Sequence, residues 1–135
     1  MENTTKIERI TADPDWYEPY KISLGTRVGN LLFVSGQAAV TQDGGGTVGA
    51  GDFDVQAEQA FANLSTVLEN GGSSLADVAK VSIYLTDMGN FAKIVELRER
   101  YFTPPYPADT IVEVSSLADP EWLIEVEAIA VLRGD

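Results

Sequence analysis

Cysteine, histidine and long apolar runs are missing from this chain of 135 residues, and each absence excludes a class of protein. Without cysteine the chain can form no disulfide bond, thiolate metal site or cysteine nucleophile. Without histidine it can form no Ser-His or Cys-His catalytic pair and no zinc site built on imidazole. Proton transfer must therefore use carboxylates, tyrosine, lysine or bound water. We expect neither a metal nor a cofactor. No apolar run can span a bilayer and no secretion signal is recognisable, so we expect a cytoplasmic protein that does not bind membranes.

Positive charge is also scarce. Nine lysines and arginines stand against 21 aspartates and glutamates, which gives a net charge of −12. An acidic surface repels the phosphate backbone of a nucleic acid, and the few basic residues are scattered along the chain instead of forming a cluster. The composition therefore predicts a protein that does not bind nucleic acid.

The order of apolar patterns predicts an α+β protein. With 44% hydrophobic residues, residues 1–135 are expected to form one globular domain, with an irregular segment over 1–18. Alternating or apolar runs predict five strands, and the 3.6-residue period predicts two helices. Asp52 or Asp54 can cap the first helix, and Asn70-Gly71-Gly72 ends it. The predicted elements are strands at 20–28, 31–39, 80–86, 110–114 and 122–132 and helices from about 54 to 70 and from 91 to 102.

This β-β-α-β-α-β-β order favours a mixed sheet with both helices on one face, because two helices cannot cover both faces. The last strand tests the arrangement. One of its faces, from Trp122 to Leu132, is wholly apolar, and the other is apolar apart from Glu125 and Glu127. A strand buried on both sides needs a layer on both sides. Since the chain has no further elements to supply that layer, we infer an oligomer with the bare sheet face inside.

A glycine-rich loop over residues 43–51 matches the G-x-G-x-x-G pattern of dinucleotide-binding proteins from Gly44 to Gly49. Asp52 and Asp54 would place negative charge where a pyrophosphate must bind, and the chain is too short for two mononucleotide-binding halves. No lysine follows the glycines as in a P-loop. The pattern therefore indicates a flexible loop.

Three glutamates are candidates for acid–base chemistry. Glu125 and Glu127 share one face of the last strand, and Glu113 lies on the preceding strand. A carboxylate on a mostly apolar face is costly unless it is paired, hydrogen-bonded or protonated, and its pKa can rise towards neutrality. The alternatives are a position at the rim and a structural pair with an arginine of a neighbouring subunit.

The sequence resembles the Rid family of reactive-intermediate deaminases, also called YjgF-like or L-PSP endoribonucleases, from about Tyr20 onward. The matching motifs are GNLLFVSGQ at 29–37, K-x-x-x-Y-L at 80–85, PADTIVEV at 107–114 and LIEVEAIAV at 123–131. The resemblance implies a chorismate-mutase-like fold and a homotrimer with a barrel-like core, in which the sheets face inward and the helices outward. It also implies a small-molecule ligand in a cleft between subunits.

Carried over residue by residue, the resemblance assigns Glu125 to the glutamate that positions the hydrolytic water, and Glu127 to a structural role. Tyr20 corresponds to a wall of the cleft, and Ser35 and Gly36 to its floor. The remaining implied ligand contacts are Val95, where some members have asparagine, and Asp109, Thr110 and Ile111.

Asp109 departs from the family pattern. Deaminating members carry an arginine there, which binds the substrate carboxylate through a bidentate pair. An aspartate reverses the sign, and repulsion at that range costs several kcal/mol at intermediate dielectric. Beside Glu125 it would favour a neutral or cationic ligand, or share a proton with Glu125. The alternative is a solvated loop carboxylate bonded to its own backbone.

The sequence thus leaves three functions open. The first is a hydrolase of an enamine or imine with a non-standard, neutral or cationic substrate. The second is a module that binds a small metabolite or a protein without turnover. The third is an endoribonuclease, which the missing histidine and the net charge of −12 disfavour.

Overall fold

The computed structural model describes residues 6–133, and in them two helices pack on one face of a mixed six-stranded sheet. The helices are α1 (Phe53–Asn70) and α2 (Phe91–Tyr101). The strands are β1 (Ile7–Ile10), β2 (Gly25–Val28), β3 (Leu31–Gln37), β4 (Val78–Leu85), β5 (Ala108–Glu113) and β6 (Ile124–Val131). The sheet order is β1-β2-β3-β6-β4-β5, antiparallel throughout except for the parallel β4–β5 pair. The predicted α+β class and the placement of both helices on one face are confirmed.

The sixth strand, β1, corrects the prediction of an irregular segment over 1–18. It pairs antiparallel with β2 at the edge of the sheet. Only Ile10 of its four residues is buried, and Ile7 is largely exposed. A strand this short, with a single buried side chain, carries no alternation that a sequence pattern could reveal. The first five residues of that segment lie outside the described part of the chain.

The predicted start and end of the first helix are confirmed, because α1 is capped by Asp52 and ends at Asn70. Gly29 adopts φ +58° in the β2–β3 hairpin, a conformation in which glycine carries no steric cost. Asp52 caps α1, because its carboxylate accepts a 3.2 Å hydrogen bond from the backbone N–H of Val55. The first predicted strand, however, starts only at Gly25, and Tyr20 instead ends a 3₁₀ turn, Glu18–Tyr20.

The core lies between the helices and one face of the sheet. Val81, Ile83 and Leu85 of β4 are fully buried there, as are Ile124 and Val126 of β6. These side chains join the buried faces of α1 and α2 in one apolar cluster. The apolar face predicted for the last strand is therefore the face that the helices cover.

The opposite face of the sheet, which we call the open face, carries no layer in the described chain. Phe33 and Val131 are each 40% exposed on it and Val112 is 39% exposed. The parity of the register places further side chains of β4 and β6 on this face, namely those of Lys80, Ser82, Tyr84, Glu125, Glu127 and Ile129. It includes the second face of the last strand, which the sequence shows to be apolar apart from Glu125 and Glu127.

The glycine-rich loop is closed by its own hydrogen bonds. The backbone N–H of Gly45 donates to the Thr41 hydroxyl at 2.6 Å and to the Asp43 carboxylate at 2.9 Å. An N–H group that already binds a carboxylate is not available to a phosphate. The geometry therefore agrees with the rejection of a dinucleotide site. Neither helix of residues 6–133 is both long enough and apolar enough to cross a membrane.

Candidate functional site

Glu125 lies over a bulge in the neighbouring strand. The pairing of β3 with β6 shifts register between Val34 and Gln37, at Ser35 and Gly36. A Cβ atom added to Gly36 would lie 2.5 Å from Oε2 of Glu125. Any larger residue at position 36 would therefore push the Glu125 carboxyl away from its present position, whereas glycine leaves room for it. The structure thus places Gly36 against Glu125, with Ser35 beside Gly36 in the same bulge.

The Ser35 hydroxyl already has a partner. It donates a 2.6 Å hydrogen bond to the carbonyl of Ser23. Its proton is therefore committed to the backbone, and the oxygen can serve a ligand only as an acceptor. Ser35 shapes the floor of the site more than it supplies a donor.

Tyr17 is a member of this site that the sequence reasoning missed. Its side chain is buried, and its hydroxyl donates to the carbonyl of Gly36. Burial and the nearby charge of Glu125 raise the pKa of Tyr17. Its neighbour Trp16 is buried too and donates from Nε1 to the side-chain amide of Gln37 at 3.1 Å. The available signal was a Trp-Tyr pair inside an otherwise polar segment. We call Tyr17, Ser35, Gly36 and Glu125 the Glu125 site.

Glu125 is the carboxylate with the most unusual surroundings in this site. Partial burial and then the neighbouring charge of Glu127 raise its pKa. Within residues 6–133 no hydrogen bond to its carboxylate is found, whereas Glu127 accepts a hydrogen bond from the Tyr84 hydroxyl. Glu127 thus has a structural partner, whereas Glu125 has none among the described side chains.

Glu113 does not belong to this group. Its strand, β5, borders β4 and is not adjacent to β6. Its carboxylate accepts a 2.8 Å hydrogen bond from the backbone N–H of Met88, at the turn that precedes α2. Its proximity to Glu125 was expected because the two strands are consecutive in sequence, but β4 lies between them.

A second cluster of predicted residues lines a groove between α2 and β5, with a volume of about 590 Å³. Val95, Asp109 and Ile111 belong to it, so the structure brings these three together. We call this the α2/β5 groove. Its remaining lining residues are Phe91, Arg98, Glu99, Phe102, Tyr106 and Pro107. Phe91 and Val95 are exposed because they form its wall.

Asp109 is paired with Arg98. Nε of Arg98 donates to one carboxylate oxygen and Nη2 to the other, both at 2.9 Å. Both expectations for Asp109 need correction: it is neither an unpaired negative charge in the cleft nor a solvated loop carboxylate, because it lies on β5 in a bidentate ion pair. Arg98 was missed, although it follows Val95 by three residues and so shares its helix face.

Asp109 and Glu125 lie on opposite faces of the sheet. Asp109 pairs with Val81, whose side chain points towards the helices, whereas Glu125 pairs with Tyr84 on the open face. The expected pairing of these two carboxylates, with a shared proton, is therefore wrong within one chain. The sequence could not show this, because side-chain parity between two strands depends on their register.

The other two predicted residues lie apart from both clusters. Tyr20 is 71% exposed at the end of its 3₁₀ turn. Thr110 is on the open face, where its hydroxyl accepts a hydrogen bond from Lys80 Nζ. Among residues 6–133 there is no group of three or more acidic side chains suited to hold a metal ion.

Comparison with known proteins places this geometry in a family. The family model described as endoribonuclease L-PSP matches residues 11–132. A RutC family protein of Pyrococcus abyssi is 43% identical over 112 residues, which are 83% of this chain and 85% of that protein. A 2-iminobutanoate/2-iminopropanoate deaminase of Dermatophagoides farinae is 32% identical over 85% of this chain and 87% of its own length.

The fold is shared with solved structures as well. A Rid family protein of unknown function from Yersinia pestis superposes with a TM-score of 0.86 at 26% identity, covering 94% of this chain and all of that one. The family match spans nearly all of the described chain, and the six-stranded sheet with two helices on one face is the same. The chain belongs to the L-PSP family, whose members are also named Rid, YjgF and RutC.

Proposed function

We propose that the chain hydrolyses a small imine or enamine, with Glu125 as the residue that holds and deprotonates water. The observation that carries the proposal is a partly buried carboxylate whose pKa is raised and to which no described side chain is hydrogen-bonded. Such a group exchanges protons closer to neutral pH than an ordinary glutamate. The deaminase name of the Dermatophagoides farinae relative supports this chemistry.

The reaction needs one water molecule and one proton shuttle. Glu125 takes a proton from water as the oxygen attacks the imine carbon, and the C=N π electrons move to nitrogen. The same carboxyl then returns this proton to nitrogen, which gives a carbinolamine. It next takes the proton of the carbinolamine hydroxyl and delivers it to nitrogen, so that the C=O bond forms, the C–N bond breaks, and a carbonyl compound and an amine or ammonia leave. An enamine first takes a proton on carbon and gives up one from nitrogen, which converts it to the imine. No redox partner is required.

We further propose that the Glu125 site meets the α2/β5 groove of a neighbouring copy in a homotrimer. Within one chain the two clusters face away from each other across the sheet. The open face carries apolar side chains such as Phe33 and Val131 that a second copy would cover. The ligand would then bind against apolar groove walls with its reactive carbon towards Glu125.

The groove favours a substrate that is neutral or cationic. Arg98 and Asp109 neutralise each other, and Glu99 adds one negative charge to the same lining. A carboxylate-bearing substrate would meet Asp109 and Glu99 without an available cation. The acidic lining, with the net charge of −12, also disfavours RNA as a substrate.

Hydrolysis in the presence of a carbonyl trap tests the proposal. Purified protein would receive imines generated in situ, one with a carboxylate (2-iminobutyrate) and one with a neutral amide in its place. We expect faster decay of the neutral imine with wild-type protein and a loss of at least ~100-fold with Glu125→Gln, which keeps the shape but cannot accept the proton. Equal rates for wild type and Glu125→Gln would contradict the assignment.

The competing function is binding without turnover. One observation favours it. The Ser35 hydroxyl already donates to a backbone carbonyl, and Arg98 and Asp109 are hydrogen-bonded to each other. Few polar groups therefore remain to act on a ligand. If neither imine is hydrolysed while a neutral ligand still shifts the NMR signals of the groove residues, the chain is a binding module.

A further inference from the structure

Arg98 is held in place from two sides. Its guanidinium carbon lies 5.8 Å from the centre of the Phe91 ring, within the range of a cation–π contact. Its Nε and Nη2 edge carries the two 2.9 Å bonds to Asp109. Both side chains of the ion pair are largely covered, with 27% and 18% of their surface exposed. The guanidinium is therefore fixed at the groove wall even without help from a ligand.

The edge of Arg98 that faces Asp109 is the edge that a carboxylate recognises. Two parallel N–H donors match two carboxylate oxygens, and such bidentate pairs are among the strongest that arginine makes. In this chain the partner is built into β5, in the same groove lining as the apolar side chains of Val95 and Ile111. A ligand carboxylate can reach the same donors only by displacing Asp109.

We propose that Arg98 is a masked receptor for apolar monocarboxylates and that Asp109 is the residue that masks it. The pair, as a unit, sets the specificity of the α2/β5 groove: it excludes carboxylates while the apolar walls accept uncharged ligands of similar shape. The inference rests on the proposed function only for the idea that a ligand occupies this groove. It names Arg98 as the specificity-determining cation and Asp109 as the residue that keeps this cation from a ligand carboxylate.

A binding titration that needs no turnover tests the inference. Benzoate and benzamide have nearly the same shape and differ in charge, so they are matched probes for the groove. We expect wild-type protein to bind benzoate no better than benzamide. Asp109→Asn should tighten benzoate binding roughly 10- to 100-fold, the factor that one charge-assisted hydrogen bond contributes, and should change benzamide binding little. Calorimetry or NMR shifts of groove residues would give both constants.

Two control variants separate masking by Asp109 from a general effect of charge. Asp54→Asn removes an equal charge next to the same helix, since Asp54 pairs with Lys93 of α2 at 3.2 Å outside the groove lining, and should leave benzoate binding unchanged. Arg98→Gln combined with Asp109→Asn should abolish the gain. Asp109→Ser offers the same test if the asparagine variant folds poorly.

Two results would overturn the inference: Asp109→Asn and Asp109→Ser binding benzoate as weakly as the wild type, or the double variant keeping the gain. Failure of the hydrolysis test together with a gain of benzoate binding would leave the masked receptor standing and reject only the enzyme. Hydrolysis of the imine without a gain of benzoate binding would reject the masked receptor and leave the enzyme standing.

Discussion

The charge that an aspartate brings to a groove depends on the side chain facing it. Asp109 alone suggests repulsion of anions, but Arg98 stands 2.9 Å away and cancels its charge. Glu125 shows the reverse case, because burial and Glu127 oppose its ionisation. The two carboxylates were predicted to share one site, but their neighbours give them opposite electrostatic surroundings: a paired cation for Asp109, and burial with a second negative charge for Glu125.

Glu125→Gln is expected to stabilise the fold near neutral pH. In the wild type the folded-state pKa of Glu125 is raised, so the native state binds its proton more tightly than the unfolded chain. The wild type therefore loses stability as pH rises from the ordinary glutamate pKa of about 4.3 through the raised value. Urea denaturation between pH 4 and pH 8 should show the variant equal to the wild type at the acidic end and more stable at the neutral end.

Glu58→Gln, on the exposed side of α1, is the control for loss of one negative charge. If Glu125→Gln stabilised the fold equally at every pH, or if Glu58→Gln matched its gain, the raised pKa of Glu125 would not be the cause.

Strands and helices were predictable where the local pattern is long. The helix over residues 54–70 has repeated apolar positions and a capping aspartate, and it appears with nearly those bounds. β1 was not predictable, because a four-residue edge strand with one buried side chain is defined by its partner and not by its own sequence.

The start of α1 depends on the Asp52 cap. Asp52→Ala removes the acceptor for the Val55 N–H and should lower the free energy of unfolding by about 1 kcal/mol. Asp52→Asn keeps an acceptor oxygen and should cost much less. Chemical denaturation of both variants measures the difference, and equal losses would show that the cap contributes nothing.

The sequence could indicate which residues lie near one another in the candidate site, but it could not indicate which face of the sheet they occupy. The sequence grouped these residues in a single cleft, and the structure does bring Gly36 against Glu125 and does place Val95, Asp109 and Ile111 in one groove. The sequence could not place the clusters on opposite faces, because the parity of β5 relative to β6 is fixed by the register of both strands with β4. Tyr17 was missed because its hydrogen-bond partner, Gly36, is distant in sequence. Arg98 was missed because it lies outside the motif that contains its partner, Asp109.

Over residues 6–133, the helices cover one face of the sheet and leave the other face uncovered. If a homotrimer covers the open face, Phe33→Asp should break it, because a buried unpaired carboxylate is strongly unfavourable at an interface. Light scattering should give three times the mass of one chain for the wild type and the mass of one chain for the variant. Val55→Asp is a matched control, since Val55 on α1 is 41% exposed against 40% for Phe33. A monomeric wild type would reject the trimer.

The placement of Glu125 and the α2/β5 groove on opposite faces has a consequence for assemblies that contain two different variants. Glu125→Gln damages one half of the proposed composite site, and Val95→Trp would fill the other half. Each variant alone gives no intact site, but in mixed assemblies some interfaces would join the undamaged half of one variant to that of the other. Random assembly of equal amounts would make about a quarter of the interfaces whole. Two inactive proteins would thus become active on being unfolded and refolded together.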